Sequence, residues 1–179
     1  MRIAVISDIH DNVWKLSPVL AFVHDTDALV CLGDLCSPFV VHQLGREYAR
    51  PIHVVFGNND GDLFRIAANA RGYEHLKLDG EFWSGEFGGR RVAAHHFDNI
   101  ARPLAASGDW DALFFGHNHR FHIGQAGRTL LVNPGPVMGA AFAANGARED
   151  VPSSFAIYDS ATNTAAGYQV LADGTVAPW

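Results

Sequence analysis

Three observations in the sequence predict an α/β fold. Short apolar, β-branched runs such as Ile3-Ala4-Val5-Ile6 and Ala28-Leu29-Val30-Cys31-Leu32 read as strands buried on both faces. Stretches with helical apolar spacing follow several of them, so strand and helix alternate over the first part of the chain, the pattern of parallel pairing. The last part is mostly strand. A length of 179 residues favours one domain over 1–179. Such a chain buries about 70% of its unfolded surface, so it needs no disulfide or metal merely to fold.

The elements follow in order. Residues 3–6 form the first buried strand and end in Ser7-Asp8-Ile9-His10-Asp11-Asn12. Asp11 or Asn12 can cap a helix over 13–23, which Pro18 is expected to kink. The second strand, 27–32, ends in Gly33-Asp34 and leads to a helix over 39–48. The third, 52–56, ends in Gly57-Asn58-Asn59-Asp60-Gly61-Asp62. The spacing rejects a calcium loop here: with Gly61 at loop position six, Phe56 and Ala67 occupy positions one and twelve, where carboxylates are required. A helix over 63–71 follows. Residues 76–92 read as short antiparallel strands with Gly88-Gly89 as a turn, and 91–94 lead into His95-His96-Phe97-Asp98. A short helix spans 100–106, with Pro103 as an early break. A strand over 110–115 delivers Gly116-His117-Asn118-His119. Beyond it, 120–123 and 128–132 read as a hairpin around Gln125-Ala126-Gly127, and Asn133-Pro134-Gly135-Pro136 as a turn. Residues 140–150 read as a mobile loop, and 155–158 and 166–171 as the closing strands.

A formal net charge of −6 argues against general nucleic-acid binding and acidic membrane surfaces, which call for a basic face. No apolar run approaches the roughly 18 residues that span a bilayer, and residues 1–6 are too short for a signal peptide. A soluble, cytoplasmic protein is expected; a homo-oligomer is allowed without being indicated. Two cysteines, Cys31 and Cys36, are too few for a zinc knuckle. Cys31 reads as a buried small hydrophobe. Cys36 follows the Gly33-Asp34 turn and is expected near the site in a structural role.

Five strand ends carry ligand-type residues: Asp8 with His10, Asp34, Asn58, His95, and His117 with His119. Residues two apart in extended chain point the same way, so each pair can face one spot. In open α/β sheets the ligand site lies outside the carboxyl ends of the strands, so these loops would converge on one edge. Asp, Asn and Gly also dominate ordinary turns, but turn chemistry does not call for four histidines at these ends. His24, His42, His53, His75 and His122 have no such context and default to surface or packing roles. Nitrogen and oxygen donors without thiolate favour manganese, iron, cobalt, nickel or zinc over a structural zinc site. Seven candidate ligands are too many for one such ion, and two ions sharing a carboxylate fit better.

Taken in order, Asp8-x-His10, Gly33-Asp34, Gly57-Asn58-x-Asp60, a lone histidine at 95 and Gly116-His117-x-His119 resemble the calcineurin-like metallophosphoesterase superfamily. The Asn133-Pro134-Gly135 turn and the strand Ser154-Phe155-Ala156-Ile157-Tyr158-Asp159 resemble its small single-domain bacterial and archaeal phosphodiesterases. The resemblance implies two mixed β-sheets packed face to face as a sandwich with flanking helices. It implies that Asp8, His10 and His119 hold one divalent ion, that Asn58, His95 and His117 hold another, and that Asp34 bridges them. Manganese is the first choice, with iron, nickel, cobalt and zinc as alternatives. The implied activity is hydrolysis of a small phosphodiester by a metal-bridging hydroxide. The alternatives are a phosphomonoesterase acting on a small metabolite or protein, and a non-catalytic protein-binding scaffold of the same fold.

The chain departs from the family pattern twice. Many members carry histidine after the third-motif asparagine, where this chain has Asn59. An amide cannot donate a proton at neutral pH, so acid catalysis has to come from elsewhere. The fourth motif, commonly His-Gly-His, reads His95-His96-Phe97. His95 is assigned as the ligand because it comes first after the strand, leaving His96 as a spare proton donor or a bystander. Asn59, His96 and Asp60 are thus the candidate catalytic residues, with Asp11 and Asp60 orienting the ligands from outside. Asn59 and Arg120 are candidates for contact with the phosphate.

Overall fold

The buried apolar runs assemble into two mixed sheets. The computed structural model describes residues 1–179. Its first part contains β1 (Arg2–Ile6), α1 (Val13–Phe22), β2 (Ala28–Cys31), α2 (Phe39–Glu47), β3 (Ile52–Val54), α3 (Leu63–Ala70) and β4 (Leu76–Leu78). The middle contains β5 (Phe82–Phe87), β6 (Arg90–His95), α4 (Asp98–Ala106), β7 (Ala112–Phe114), β8 (His122–Ala126) and β9 (Thr129–Asn133). The chain closes with β10 (Ala140–Phe142), β11 (Arg148–Asp150), β12 (Ser153–Asp159), β13 (Thr164–Val170) and β14 (Val176–Pro178). One sheet has the order β14-β13-β12-β1-β2-β3-β4, the other β5-β6-β7-β9-β8, and β10 pairs with β11 alone. Pairing is parallel from β1 through β4 and from β6 through β7 to β9; the outer strands are antiparallel.

The pleat sorts side chains into layers. On β1, Ile3 and Val5 face the second sheet, packing with Val92, Ala94, Phe114 and Tyr158. Ala4 and Ile6 face the other way, onto Leu16 and Leu20 of α1 and Val41 and Leu44 of α2. On the far side of the second sheet, Ala93, Leu113, Phe115 and Leu131 pack against Ala101 and Ala105 of α4. The order is helices, sheet, sheet, helix, the sandwich the family resemblance implies. Truncating a fully buried side chain such as Phe114 would cost roughly 3–5 kcal/mol. Asn12 caps α1 by accepting from the Lys15 N–H at 3.2 Å, and Asp62 caps α3 by accepting from Arg65 N–H at 3.0 Å.

Several expectations change. Leu76–Leu78 is a parallel edge strand of the first sheet rather than part of an antiparallel set; only β5 and β6 form the hairpin around Gly88-Gly89. Helix α4 continues through Pro103 to Ala106. Residues 140–150 are not an irregular loop: β10 and β11 form a two-stranded ribbon, with Ala140 opposite Asp150 and Phe142 opposite Arg148. The small, weakly periodic side chains there hid a pairing that backbone bonds supply. No helix is long and apolar enough to cross a membrane.

Candidate metal centre

The loops after β1, β2, β3, β6 and β7 meet at one edge of the sandwich, stitched together by their own backbones. Asp8 N–H donates to Gly33 O at 3.1 Å, His10 N–H to Asp34 O at 2.9 Å, and Gly116 N–H to His96 O at 2.9 Å. Asp8, His10, Asp11, Asp34, Cys36, His117 and His119 all have φ between +43° and +69°. A left-handed backbone costs a non-glycine residue roughly 1–2 kcal/mol. Such strain clusters where the surrounding structure over-determines a functional geometry. Close approach also needs glycine: a Cβ on Gly116 would overlap Ser7 Oγ, and one on Gly57 would overlap Asp34 Oδ1.

Asp8, His10, Asp34 and His119 bring one ligand atom each within 4.8 Å of one another. His10 Nε2 lies 3.3 Å from His119 Nε2 and 3.3 Å from Asp34 Oδ2. His119 Nε2 lies 3.2 Å from Asp8 Oδ1. Asp8 is fully buried, and its Oδ1 has no hydrogen-bond partner; the approach of His119 lacks bonding geometry. An orphaned, buried carboxylate oxygen facing two imidazole nitrogens suits a divalent cation.

On the other side of Asp34, His96 Nε2 lies 3.6 Å from Asp34 Oδ2 and 3.1 Å from Asn58 Oδ1. The His117 ring stands 5.2 Å from that of His96, centroid to centroid. The assignment of His95 is therefore corrected to His96. Alternation along β6 puts Val92, Ala94 and then His96 on the face between the sheets; His95 follows Ala93 outward. His95 Nδ1 accepts from Phe97 N–H at 3.0 Å, and burial lowers its pKa from the usual imidazole value. Counting from the strand end missed this; counting pleat parity from Val92 would have found it.

The imidazoles are oriented from behind. His96 Nδ1 donates to Leu32 O and His119 Nδ1 to Ala140 O, each at 2.7 Å, which leaves each Nε2 free to ligate. His10 Nδ1 has a different partner, Cys36 Sγ at 3.4 Å. Burial first, then Asp11, pushes the Cys36 thiol up to about 12, so it stays neutral. Cys36 thus stands near the site, as its place after Gly33-Asp34 suggests. Burial works against protonation of His119, but Asp8 outweighs it and raises the pKa. Burial also pulls Asp34 upward, yet hydrogen bonds from His10 and Asn59 hold it well below the usual carboxylate range.

Three other candidates play different parts from those expected. Asn59 gives Asp34 two hydrogen bonds: backbone N–H to Oδ1 and side-chain Nδ2 to Oδ2, each at 2.8 Å. Its amide holds the central carboxylate. Asp60 does not face the cluster as a catalytic group. It accepts from the backbone N–H groups of Asp34, Leu35, Cys36 and Gly57 at 2.7–3.3 Å, tying two loops together. Asp11 likewise binds Ser37, through its N–H at 2.9 Å and its hydroxyl at 2.8 Å, instead of orienting a ligand. Arg120 is exposed and pairs loosely with Glu149 at 3.8 Å. Asn133, in the expected turn, donates to Gly116 O and Asn118 Oδ1 and so braces the last histidine loop.

Comparison with known proteins places this geometry in context. A model of the calcineurin-like phosphoesterase superfamily domain matches residues 1–163. The phosphodiesterase MJ0936 of Methanocaldococcus jannaschii is 24% identical over 143 residues, covering 78% of this chain and 86% of that protein. Among solved structures, an archaeal phosphodiesterase superimposes with a TM-score of 0.80 at 21% identity, covering 93% of this chain and 98% of the other. Vacuolar protein sorting 29 from Cryptosporidium parvum gives 0.71 at 19% identity, covering 99% and 95%.

Proposed function

Because the chain belongs to the calcineurin-like phosphoesterase superfamily, we propose that it is a metal-dependent phosphodiesterase with a two-ion centre built around Asp34. The observation that carries the reading is the position of Asp34 Oδ2, 3.3 Å from His10 Nε2 on one side and 3.6 Å from His96 Nε2 on the other. Asp8, His10, Asp34 and His119 would hold one ion; Asp34, Asn58, His96 and His117 would hold the second. Two divalent ions, manganese first among the candidates, would acidify a water and neutralise charge on the phosphoryl oxygens of a small phosphoester. Their charge of +4 against −2 from Asp8 and Asp34 makes a positive site in a chain of net charge −6.

The chain's own residues do the positioning. Asn59 fixes both oxygens of Asp34, so the shared carboxylate cannot rotate toward one half of the centre. Carbonyl oxygens of Leu32 and Ala140 hold His96 and His119 in the tautomer that presents Nε2 inward. No side chain at the edge is left as an obvious proton donor to the leaving group, since Asn59 and His96 are both engaged. Diesters with weakly basic leaving groups are therefore the expected substrates.

The test is reconstitution of the metal-free protein with manganese, iron, nickel, cobalt or zinc, then assay of an aryl phosphodiester beside the matching monoester. Faster diester hydrolysis that disappears in a folded Asp34→Asn variant supports the reading. A faster monoester reaction replaces it with a phosphomonoesterase, and no hydrolysis with any metal overturns the enzyme reading.

A further inference from the structure

Two clefts share His119 and Arg120. One, of about 420 Å³, is lined by Asp98, His117, Asn118 and Phe142. The other, of about 370 Å³, is lined by Phe121, Pro136, Val151, Pro152, Ser154 and Trp179. We infer that the second cleft takes a planar aromatic group, aryl or nucleobase, carried by one of the two alcohols of a phosphodiester substrate. The inference rests on the phosphodiesterase reading and specifies the substrate class of the same site.

The cleft shares His119 with the candidate metal centre, and the Nε2 of that histidine stands 3.2 Å from Asp8 Oδ1. A group held beside His119 is therefore joined to whatever sits on the carboxylates by only a few bonds. The wall is flat and aromatic: Phe121 and Trp179 stack with centroids 4.2 Å apart and planes 23° from parallel. Trp179 remains 53% exposed, which leaves ring surface for a ligand. The platform is tied to the sheet: Trp179 backbone N–H donates to Gly167 O at 2.9 Å, and Phe121 lies over Gly167, where a Cβ would overlap its ring. A pre-formed platform loses little freedom when a ligand stacks on it.

Two neutral polar side chains of the cleft are already engaged. Ser154 Oγ donates to Pro134 O at 2.8 Å, and His119 Nδ1 to Ala140 O at 2.7 Å. A sugar buried there would give up hydrogen bonds to water without replacement, whereas a ring face gives up none. Arg120 is the one arginine or lysine at the junction, its side chain 68% exposed and paired with Glu149 only at 3.8 Å, free to lie over a ring or meet phosphate oxygen. Two clefts meeting at one ligand histidine also match the shape of a diester, which carries two substituents where a monoester carries one.

The experiment uses the zinc-loaded full chain and two non-hydrolysable diester mimics with carbon in place of both ester oxygens, benzyl(methyl)phosphinate (the phenyl compound) and dimethylphosphinate (the methyl compound), with dissociation constants from calorimetry. The phenyl compound is expected to bind the wild type about tenfold more tightly, and Trp179→Ala to remove that advantage while leaving the methyl compound unchanged. In the folded wild type, the Trp179 indole N–H resonance is expected to move with the phenyl compound and stay with the methyl one. A phenyl advantage that survives Trp179→Ala, or a phenyl-bound protein with an unmoved Trp179 resonance, overturns the cleft assignment and leaves the phosphodiesterase reading intact. Failure of both compounds to bind overturns the phosphodiesterase reading, and the cleft assignment with it.

Discussion

The two halves of the centre are built differently. Around Asp8, His10, Asp34 and His119, three of the four residues are buried and the fourth is half-buried; the orphaned oxygen of Asp8 points inward. Around Asn58, His96 and His117, only His96 is buried; Asn58 and His117 are exposed. One half is pre-formed by packed loops, the other is open to solvent and includes a neutral amide as a donor. Under the two-ion proposal, an ion in the first half would meet two carboxylates and little water, and an ion in the second would meet one carboxylate and more water. The difference teaches that the shared Asp34 belongs structurally to the buried half, where Asn59 pins it, and reaches outward to complete the exposed half.

The largest expected effect erases the comparison. Asp34→Asn removes the charge both halves would share; losing one partner of a buried charged set costs roughly 3–5 kcal/mol, or about 10²–10⁴-fold in affinity. Metal analysis after dialysis should show both ions depleted. Retention of one ion at full affinity would mean that Asp34 serves a single half. Next, stepwise chelation should release the ions in sequence, the exposed half first. Metal at 100 times its dissociation constant adds about 2.7 kcal/mol per site, so each step should lower the melting temperature by roughly 5–11 °C. A single transition would show the halves to be one cooperative unit.

A smaller effect separates the adjacent histidines. His96→Ala should weaken the exposed-half ion by up to about 100-fold, a loss comparable to disturbing any orienting shell. His95→Ala should change it less than about twofold, since its Nδ1 is taken up by Phe97 N–H outside the cluster. Equal losses would count against the pleat argument. Asn59→Ala should cost about tenfold at both halves through a loosened Asp34. Turnover with a good leaving group should fall in the same proportion as occupancy, which a proton-donor role for Asn59 would not produce.

Much of this was legible in the sequence. Apolar runs at 3–6, 28–32 and 110–115 located central strands because burial on both faces leaves an unbroken hydrophobic signature. Those strands and the run at 52–56 end in Asp8, Asp34, Asn58, His117 and His119, and the fold brings those residues to one edge. What was not legible depended on orientation. His95 and His96 are indistinguishable in composition, and parity had to be carried up from Val92 across Ala93-Ala94 rather than read from the strand end. The ribbon at 140–150 rests on backbone bonds, to which side-chain patterns are blind. Asn59 holds Asp34 from 25 positions away in the chain, a partnership no local spacing announces.

The left-handed loops also bear on which sequences this edge can explore. At positive φ, glycine is the residue a backbone accepts most readily, and asparagine, aspartate and histidine are tolerated better than other side chains. His10, His117 and His119 hold φ of 43°, 67° and 55°, where glycine would carry no strain at all. Drift toward glycine at those positions would relax the backbone while deleting the donor, so local stability and metal retention select in opposite directions. Cys36, at φ 69°, makes only a soft contact behind His10 and faces no such opposition. In a library randomised across these loops and sorted for folded protein alone, glycine and asparagine should accumulate at all four positions. Sorted for bound metal, the histidines should return and position 36 should stay open.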